Sequence, residues 1–118
     1  MTVRKKTTKQ PGRSKEPTEA KLDELIEEAT VDAYGESEQT TGFYTMFEEH
    51  LAVPFKTEIL GVEVTIERID LSDDEQIVAV CSRGKAKQRV PILDLPLPSP
   101  PPEGADWIMA FRRWARGR

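Results

Sequence analysis

Apolar residues in the first part of the chain recur with the period of an α-helix. A first helix is predicted to begin near Thr18, a suitable N-cap residue, with Glu19 favourably placed in the first turn. Gly35 is expected to end this helix, because glycine readily adopts the left-handed conformation that follows many helices. The apolar stripe that would face the core consists of Leu22, Leu25, Ile26, Ala29 and Ala33.

A second amphipathic helix is predicted between Ser37, its expected N-cap, and Pro54, which cannot continue a helix. Its apolar positions follow the first one by three, four, seven and eight residues, which is the spacing of one helix face. These positions are Phe43, Met46, Phe47, His50 and Leu51.

The hydrophobic period changes to two after residue 54, which is typical of β-strands. Apolar and polar residues alternate in the first two strands, so we expect an antiparallel pair with one buried face. The pattern predicts a small curled sheet or partly open barrel of SH3-like size. The expected strands are residues 55–59, 62–67, 77–81 and 88–93, with turns at Gly61 and at residues 72–75 and 83–85.

Residues 95–102 contain too many prolines for a helix or a strand. We expect this segment to run as an extended polyproline II strap over the core, and a recognition motif for a proline-binding module is the alternative. A last helix over residues 104–115 places Trp107, Phe111 and Trp114 on one face. A packed aromatic face is the main interpretation of that stripe, and a partner surface is the alternative.

Charge is strongly segregated along the 118 residues. The first fifteen residues contain six bases and no acid, so residues 1–16 are predicted to be a disordered basic tail. Residues 17–118 are predicted to form a single α+β domain. Residues 16–111 contain all twenty-one acids and seven bases, a net charge of −14. This acidic body disfavours nucleic acid as a partner except through the basic tail.

The composition argues against a disulfide, a zinc site, a catalytic triad and a membrane span. The single cysteine, Cys81, excludes an internal disulfide and a cysteine-based zinc site, and its apolar neighbours predict a buried, inert thiol. The single histidine, His50, lies on the apolar stripe of the second helix, so no catalytic triad can be assembled around it. No glycine-rich phosphate loop and no membrane-spanning apolar stretch is present. We therefore expect a cytoplasmic protein that is not an enzyme.

The acids themselves suggest a cation site. Residues 16–49 contain eleven acids and one base, a net charge of −10 whose mutual repulsion a shared cation would relieve. Carboxylate oxygens are hard ligands that suit Ca²⁺ or Mg²⁺. Two acid-rich segments lie outside regular helix faces, and neither has the spacing of an EF-hand loop. The candidates are Asp32, Glu36 and Glu38 at the helix junction, and Asp70, Asp73 and Asp74 in the turn after the second strand.

Spacing alone also allows a simpler interpretation of these acids. Carboxylates on the outer side of a helix and in tight turns are common without any ligand. In that case the acids only confer solubility. The protein would then be an interaction module that meets a protein partner through the SH3-like sheet, the tryptophan helix or the proline strap.

Several segments taken together resemble the CcbP-type family of bacterial calcium-binding proteins. They are residues 27–39 with the following Thr41-Gly42-Phe43, residues 60–64, residues 91–98 and the helix at residues 107–114. The similarity extends over residues 21–116 and leaves out the basic tail. Members of that family are small acidic proteins that bind Ca²⁺ through a negatively charged surface, in one lineage to buffer cellular calcium. The resemblance implies Ca²⁺ as ligand, with the acids of residues 32–38 as first candidates and those of residues 70–74 as second.

Overall fold

In a computed structural model that describes residues 16–117, three α-helices flank a four-stranded antiparallel sheet. The architecture confirms the predicted α+β class, and the predicted basic tail lies almost entirely outside the described residues. The helices are α1 (Glu19–Thr30), α2 (Glu36–His50) and α3 (Ala105–Arg116). The strands are β1 (Phe55–Ile59), β2 (Val62–Leu71), β3 (Ile77–Arg83) and β4 (Ala86–Pro91), and a single 3-10 turn follows at Ile92–Asp94.

The sheet is a simple meander in which each strand pairs with its neighbour in sequence, in the order β1-β2-β3-β4. Ile66 lies opposite Phe55 on one side and Cys81 on the other. The β2–β3 register shifts between Ile66 and Arg68, which leaves Glu67 as the extra residue of a bulge. Beyond the bulge, pairing between β2 and β3 continues to Leu71 and Ile77, beside the turn that joins the two strands. This turn carries Asp73 and Asp74, two of the predicted acids.

The core lies between the sheet and the three helices. Phe43 and Phe47 of α2 are almost fully buried and meet Phe111 of α3 with ring centroids 5.2 and 5.9 Å apart in edge-on contacts. Ile66 from the sheet and Ile108 from α3 are completely buried beside them. Burying each such side chain stabilises the fold by about 1.5–3 kcal/mol. This packing fixes the position of α2 relative to the sheet.

The helix boundaries differ from the sequence prediction at the α1–α2 junction. Thr18 caps α1 as expected, accepting a hydrogen bond from the backbone N–H of Lys21 at 3.1 Å. However, α1 ends at Thr30, and the N-cap of α2 is Gly35 rather than Ser37. Gly35 has φ 96°, a conformation that costs glycine far less than other residues, so the chain turns there. Ser37 instead lies within the first turn of α2.

Four strand boundaries also differ from the prediction, one of them the end of β3, which extends to Arg83. β2 runs to Leu71, so Asp70 is a strand residue opposite Val78 and does not belong to the turn. β4 begins at Ala86 because the β3–β4 ladder continues to the hairpin end, and it ends at Pro91, which has no N–H to continue it. Residues 92–94, predicted as strand up to 93, form the 3-10 turn.

The proline-rich segment connects this 3-10 turn to α3 without helix or strand. Leu95 is buried, and the hydroxyl of Thr57 in β1 donates a hydrogen bond of 2.7 Å to the carbonyl oxygen of Pro96. The segment is therefore attached to the edge of the sheet at its beginning. Its polyproline II conformation and the SH3-like character of the sheet remain predictions.

Candidate metal site

The α1–α2 junction holds its acids at the start of a helix. Asp32 has φ 62°, which turns the chain after α1, and Gly35 turns it again into α2. Glu36 and Glu38 occupy the first turn of α2, where the helix dipole favours negative charge. The Oε1 atom of Glu38 accepts a hydrogen bond of 2.8 Å from the backbone N–H of Tyr34. Glu38 thus reaches back over the junction as in a capping box.

The β2–β3 turn is a compact loop closed by its own polar groups. The backbone N–H of Glu75 donates to the carbonyl oxygen of Ser72 at 2.9 Å. The backbone N–H of Ser72 donates to the carbonyl oxygen of Gln76 at 2.8 Å. The Ser72 hydroxyl also donates to Asp74 Oδ1. Glu75 adopts φ 65°, a left-handed conformation that completes the turn. Asp73, Asp74 and Glu75 are all exposed at its tip.

The junction and the turn meet although they are far apart in the sequence. The hydroxyl of Ser37 in α2 donates a hydrogen bond of 2.9 Å to Glu75 Oε2 in the turn. Because α2 packs on β2 through the core, the two acid-rich segments lie side by side on one surface. We call this region the junction–turn surface, and its acids are Asp32, Glu36, Glu38, Asp73, Asp74 and Glu75.

Glu75 is the acid of this surface that the sequence analysis omitted from its candidates. Glu75 directly follows Asp73 and Asp74, so the run of three consecutive carboxylates is the sequence signal that could have identified it. Asp70 differs from these acids because its carboxylate already has cationic neighbours. Its Oδ1 lies 3.4 Å from Nε of Arg68, and its Oδ2 lies 3.7 Å from Nη2 of Arg89.

Most acids of the junction–turn surface lack such neighbours. Among residues 16–117, no lysine or arginine forms an ion pair with Asp32, Asp73, Asp74 or Glu75. The carboxylate of Glu75 accepts a hydrogen bond from the Ser37 hydroxyl, and that of Asp74 accepts one from the Ser72 hydroxyl; neither donor carries a full charge. Residues 16–117 therefore gather negative charge here without placing a lysine or arginine against these four carboxylates.

The donor chemistry fits a hard cation, and binding one would require the side chains to rotate. Carboxylate oxygens are the ligands that Ca²⁺ prefers, at six to eight per ion. As the side chains stand, no three His, Cys, Asp or Glu residues within the described range 16–117 converge closely enough to hold a metal. All six acids of the junction–turn surface are exposed.

Cys81 and His50 contribute no reactive site. Cys81 is buried in β3, and this burial raises the pKa of its thiol, which keeps it protonated and inert. The imidazole of His50 stacks on Trp107 with ring centroids 5.2 Å apart and ring planes 11° apart. This contact is consistent with the expected half-exposed histidine, whose side chain is 43% exposed.

The fold and this surface define a small α+β protein whose acidic side offers oxygen donors for a hard cation. A family model described as calcium binding, that of the CcbP proteins, matches residues 23–115. Because the match covers most of the chain, the protein belongs to the CcbP calcium-binding family, and Ca²⁺ is the ion of that family. No curated protein and no solved structure matches the chain. Between residues 16 and 117, no helix has both the length and the apolar character needed to cross a membrane.

Proposed function

We propose that this protein binds Ca²⁺ at the junction–turn surface, between the start of α2 and the β2–β3 turn. Asp32, Glu36 and Glu38 would approach the ion from the junction, and Asp73, Asp74 and Glu75 would approach it from the turn. The role is non-enzymatic, because the chemistry on offer is ion coordination alone. Family membership supports the ion, and the geometry of this surface supports the location.

The hydrogen bond from Ser37 to Glu75 is the observation that carries the location. A calcium site needs oxygens from several directions, which a single turn of chain outside an EF-hand rarely supplies. Here two segments separated by 38 residues are joined by a direct side-chain contact, which supports a site shared between them. The proposal requires their exposed carboxylates to rotate toward one ion.

Charge balance gives the free energy for binding. The unpaired carboxylates repel one another in the folded protein, and a doubly charged ion between them replaces repulsion with attraction. The two arginines beside Asp70 already neutralise that carboxylate, so Asp70 would contribute to the surrounding field rather than to coordination. Asp70 therefore ranks below the other candidates.

The exposure of these acids favours modest affinity. Exposed carboxylates are hydrated and screened by salt, so each contributes less than a buried ligand would. Modest affinity and rapid release suit a calcium buffer, which needs no large conformational change on binding. We infer that buffering, rather than signalling through an exposed groove, is the role that this surface supports.

Calorimetric titration of the purified protein with CaCl₂ tests the site. The variant carrying Asp32→Asn, Glu36→Gln and Glu38→Gln should lose most of the calcium-dependent heat. A matched control carries Glu24→Gln, Glu27→Gln and Glu28→Gln, which remove the same charge from the exposed side of α1. The control should bind as the wild type does. Unchanged binding in the junction variant would place the site elsewhere.

The alternative function, an interaction module with a solvated acidic surface, rests on a different region. Leu60 at the tip of the β1–β2 hairpin is 97% exposed, beside a groove of about 370 Å³ lined partly by Ile59 and Val90. This alternative predicts that CaCl₂ and NaCl of equal ionic strength raise the melting temperature equally, since the acids would only be screened. A rise specific to calcium supports the calcium site.

A further inference from the structure

A second charged region lies on the other side of α1, where two arginines line one pocket. The pocket has a volume of about 530 Å³ and opens between the start of α1, the proline-rich segment and α3. Arg112 and Arg116 are one helical turn apart on α3, and both contribute to its lining. Side chains four residues apart on a helix are neighbours, so these two cations repel each other.

Arg112 is held in place but only partly satisfied. Its Nη2 donates hydrogen bonds to the backbone carbonyl oxygens of Ile92, at 3.1 Å, and Leu95. Its Nε is buried without a hydrogen-bond partner, and within residues 16–117 its Nη1 donates to no protein group. Burial lowers the pKa of the Arg112 guanidinium, and Arg116 lowers it further, whereas Asp94 opposes them. The cation is thus fixed where an anion would stabilise it.

Arg113, the next residue on α3, has an ion partner, whereas Arg112 has none among the described residues. Arg113 Nε donates to Asp23 Oδ1 at 2.8 Å, and this hydrogen bond raises the pKa of Arg113. Neither Arg112 nor Arg116 forms an ion pair with any acid in the described range 16–117. Glu16 lines the pocket too, yet it lies beyond ion-pair distance of both guanidinium groups.

The helix dipole accounts for part of this arrangement but not for all of it. Cations are favoured near the C-terminus of a helix, and this suffices for the exposed Arg116 in the last turn of α3. It does not explain why Arg112 is partly buried with an unpartnered Nε, since burying a charge without an ion partner costs free energy. A ligand anion in the pocket, beside the guanidinium group, would supply the missing ion partner.

We propose that this pocket binds a phosphomonoester, with the phosphate group between Arg112 and Arg116. Guanidinium groups are well matched to phosphate oxygens, and two of them balance the two negative charges that a phosphomonoester approaches at neutral pH. Part of the remaining wall is apolar and half-buried, which gives a surface for the organic substituent, whereas Glu16 and Ser99 make another part of it polar. The apolar part comes from Leu22, Leu97 and Met109. The volume falls within the range of small-molecule sites.

Titration of the full-length, ¹⁵N-labelled protein with phenyl phosphate tests the proposal. The quantity measured is the NMR shift of the side-chain Nε–H resonance of Arg112. The buffer is free of calcium, so the result does not depend on the junction–turn surface. We expect a saturable shift of this resonance with phenyl phosphate. Inorganic phosphate should bind about tenfold more weakly, because it lacks the substituent that contacts the apolar wall. NaCl of equal ionic strength should produce no saturable shift.

Two variants separate specific binding from a general charge effect. Arg116→Gln should weaken phenyl phosphate binding by about tenfold, the usual cost of losing a charged hydrogen bond. Arg113→Gln removes the same charge from the same helix but outside the proposed phosphate contacts, and it should bind within about twofold of wild type. Equal losses in the two variants would reduce the effect to net charge and overturn the proposal. So would an Arg112 resonance that phenyl phosphate leaves unmoved, or equal affinity for acetate.

Discussion

Two sets of acids in the described residues differ in whether an arginine or lysine lies beside them. The paired acids are Glu19, Asp23, Glu67 and Asp70, which lie within 4 Å of an arginine or lysine nitrogen. In the junction–turn surface, Asp32, Asp73, Asp74 and Glu75 have no such neighbour among the described residues. Paired acids help to hold elements together, whereas the unpaired acids repel one another in the folded protein.

The positions of the two groups support this division of roles. Arg113 joins α3 to α1 through Asp23, and Lys87 of β4 reaches across β3 to Glu67 of β2, so these paired acids link different elements. The junction–turn surface is also a meeting of two elements, but the link there is the neutral hydroxyl of Ser37. A hydroxyl positions a carboxylate without neutralising it. The carboxylate thereby keeps its charge for a ligand.

The largest expected effect comes from calcium acting on the junction–turn surface as one unit. At a free calcium concentration one hundred times the dissociation constant, the free energy of unfolding should rise by about 2.7 kcal/mol. A turn variant with Asp73→Asn, Asp74→Asn and Glu75→Gln should lose this increment, as should the junction variant. Combining both sets should lose no more than either alone, because they would disable the same site. Urea unfolding with and without CaCl₂, at matched ionic strength, measures these increments.

Additive losses of the calcium-dependent increment in the junction and turn variants would contradict a single shared site. Two independent increments would mean that the junction and the turn each bind their own ion, so the contact between Ser37 and Glu75 would not define a shared site. The paired acids provide the control for this experiment. Asp23→Asn should leave the calcium increment unchanged, because Asp23 lies on the side of α1 that faces α3.

The next largest effect should come from removing a cation that the chain itself supplies. Arg113→Gln leaves Asp23 and Glu19 without their partner, and we expect a small but measurable fall in the denaturant midpoint, because exposed ion pairs contribute little to stability. This fall should shrink in high salt, because screening weakens the interaction that is removed. Denaturant unfolding at low and high NaCl measures it.

Lys56→Gln is the matched control for this substitution, since Lys56 is exposed in β1 and forms no ion pair within the described residues. The free energy of unfolding of the Lys56→Gln variant should differ from that of the wild type by less than about 0.5 kcal/mol. If Arg113→Gln and Lys56→Gln cost the same, the pairing of Asp23 would contribute nothing, and the two groups of acids would be energetically alike.

Much of the fold could be predicted because periodicity and capping are local signals. The alternation of apolar residues placed β1 within the bounds seen in the structure, and Thr18 was identified as a cap from its side chain alone. The aromatic stripe of α3 was predicted to pack, and Trp107 and Phe111 are indeed buried. Each of these predictions depends on residues within about one turn of helix or a few strand positions.

The features that sequence could not supply depend on tertiary contacts or on backbone conformation. Gly35 can end one helix or begin the next, and only its actual φ of 96° and position at the start of α2 decide between them. Asp70 is predicted in the turn together with Asp73 and Asp74, whereas pairing with β3 extends β2 to Leu71. The pairing of Arg113 with Asp23 spans 90 residues, so no local pattern indicates that this acid is neutralised. The contact between Ser37 and Glu75 is hidden for the same reason.

The smallest expected effect tests the paired group by pH. A hydrogen bond from Ser82 and then the ammonium group of Lys87 lower the pKa of Glu67 from its usual value of 4.5. A carboxylate whose pKa is lower in the folded state stabilises the fold above its unfolded pKa. That contribution disappears as the pH falls through the lower folded value. Glu67→Gln should therefore flatten the dependence of stability on pH below 4.5, with little change in shape near neutrality.

Variants of the cation partner make this last test specific to the pair. Lys87→Gln removes the ammonium that lies 3.1 Å from Glu67 Oε1, so it should reproduce part of the flattening. Lys85→Gln changes the same charge two residues away, at an exposed position with no ion pair in the described chain, and should leave the curve unchanged. Identical curves for Lys87→Gln and Lys85→Gln would show that the local field of Lys87 is screened by solvent. In that case the hydrogen bond from Ser82 alone would distinguish Glu67 from the unpaired acids.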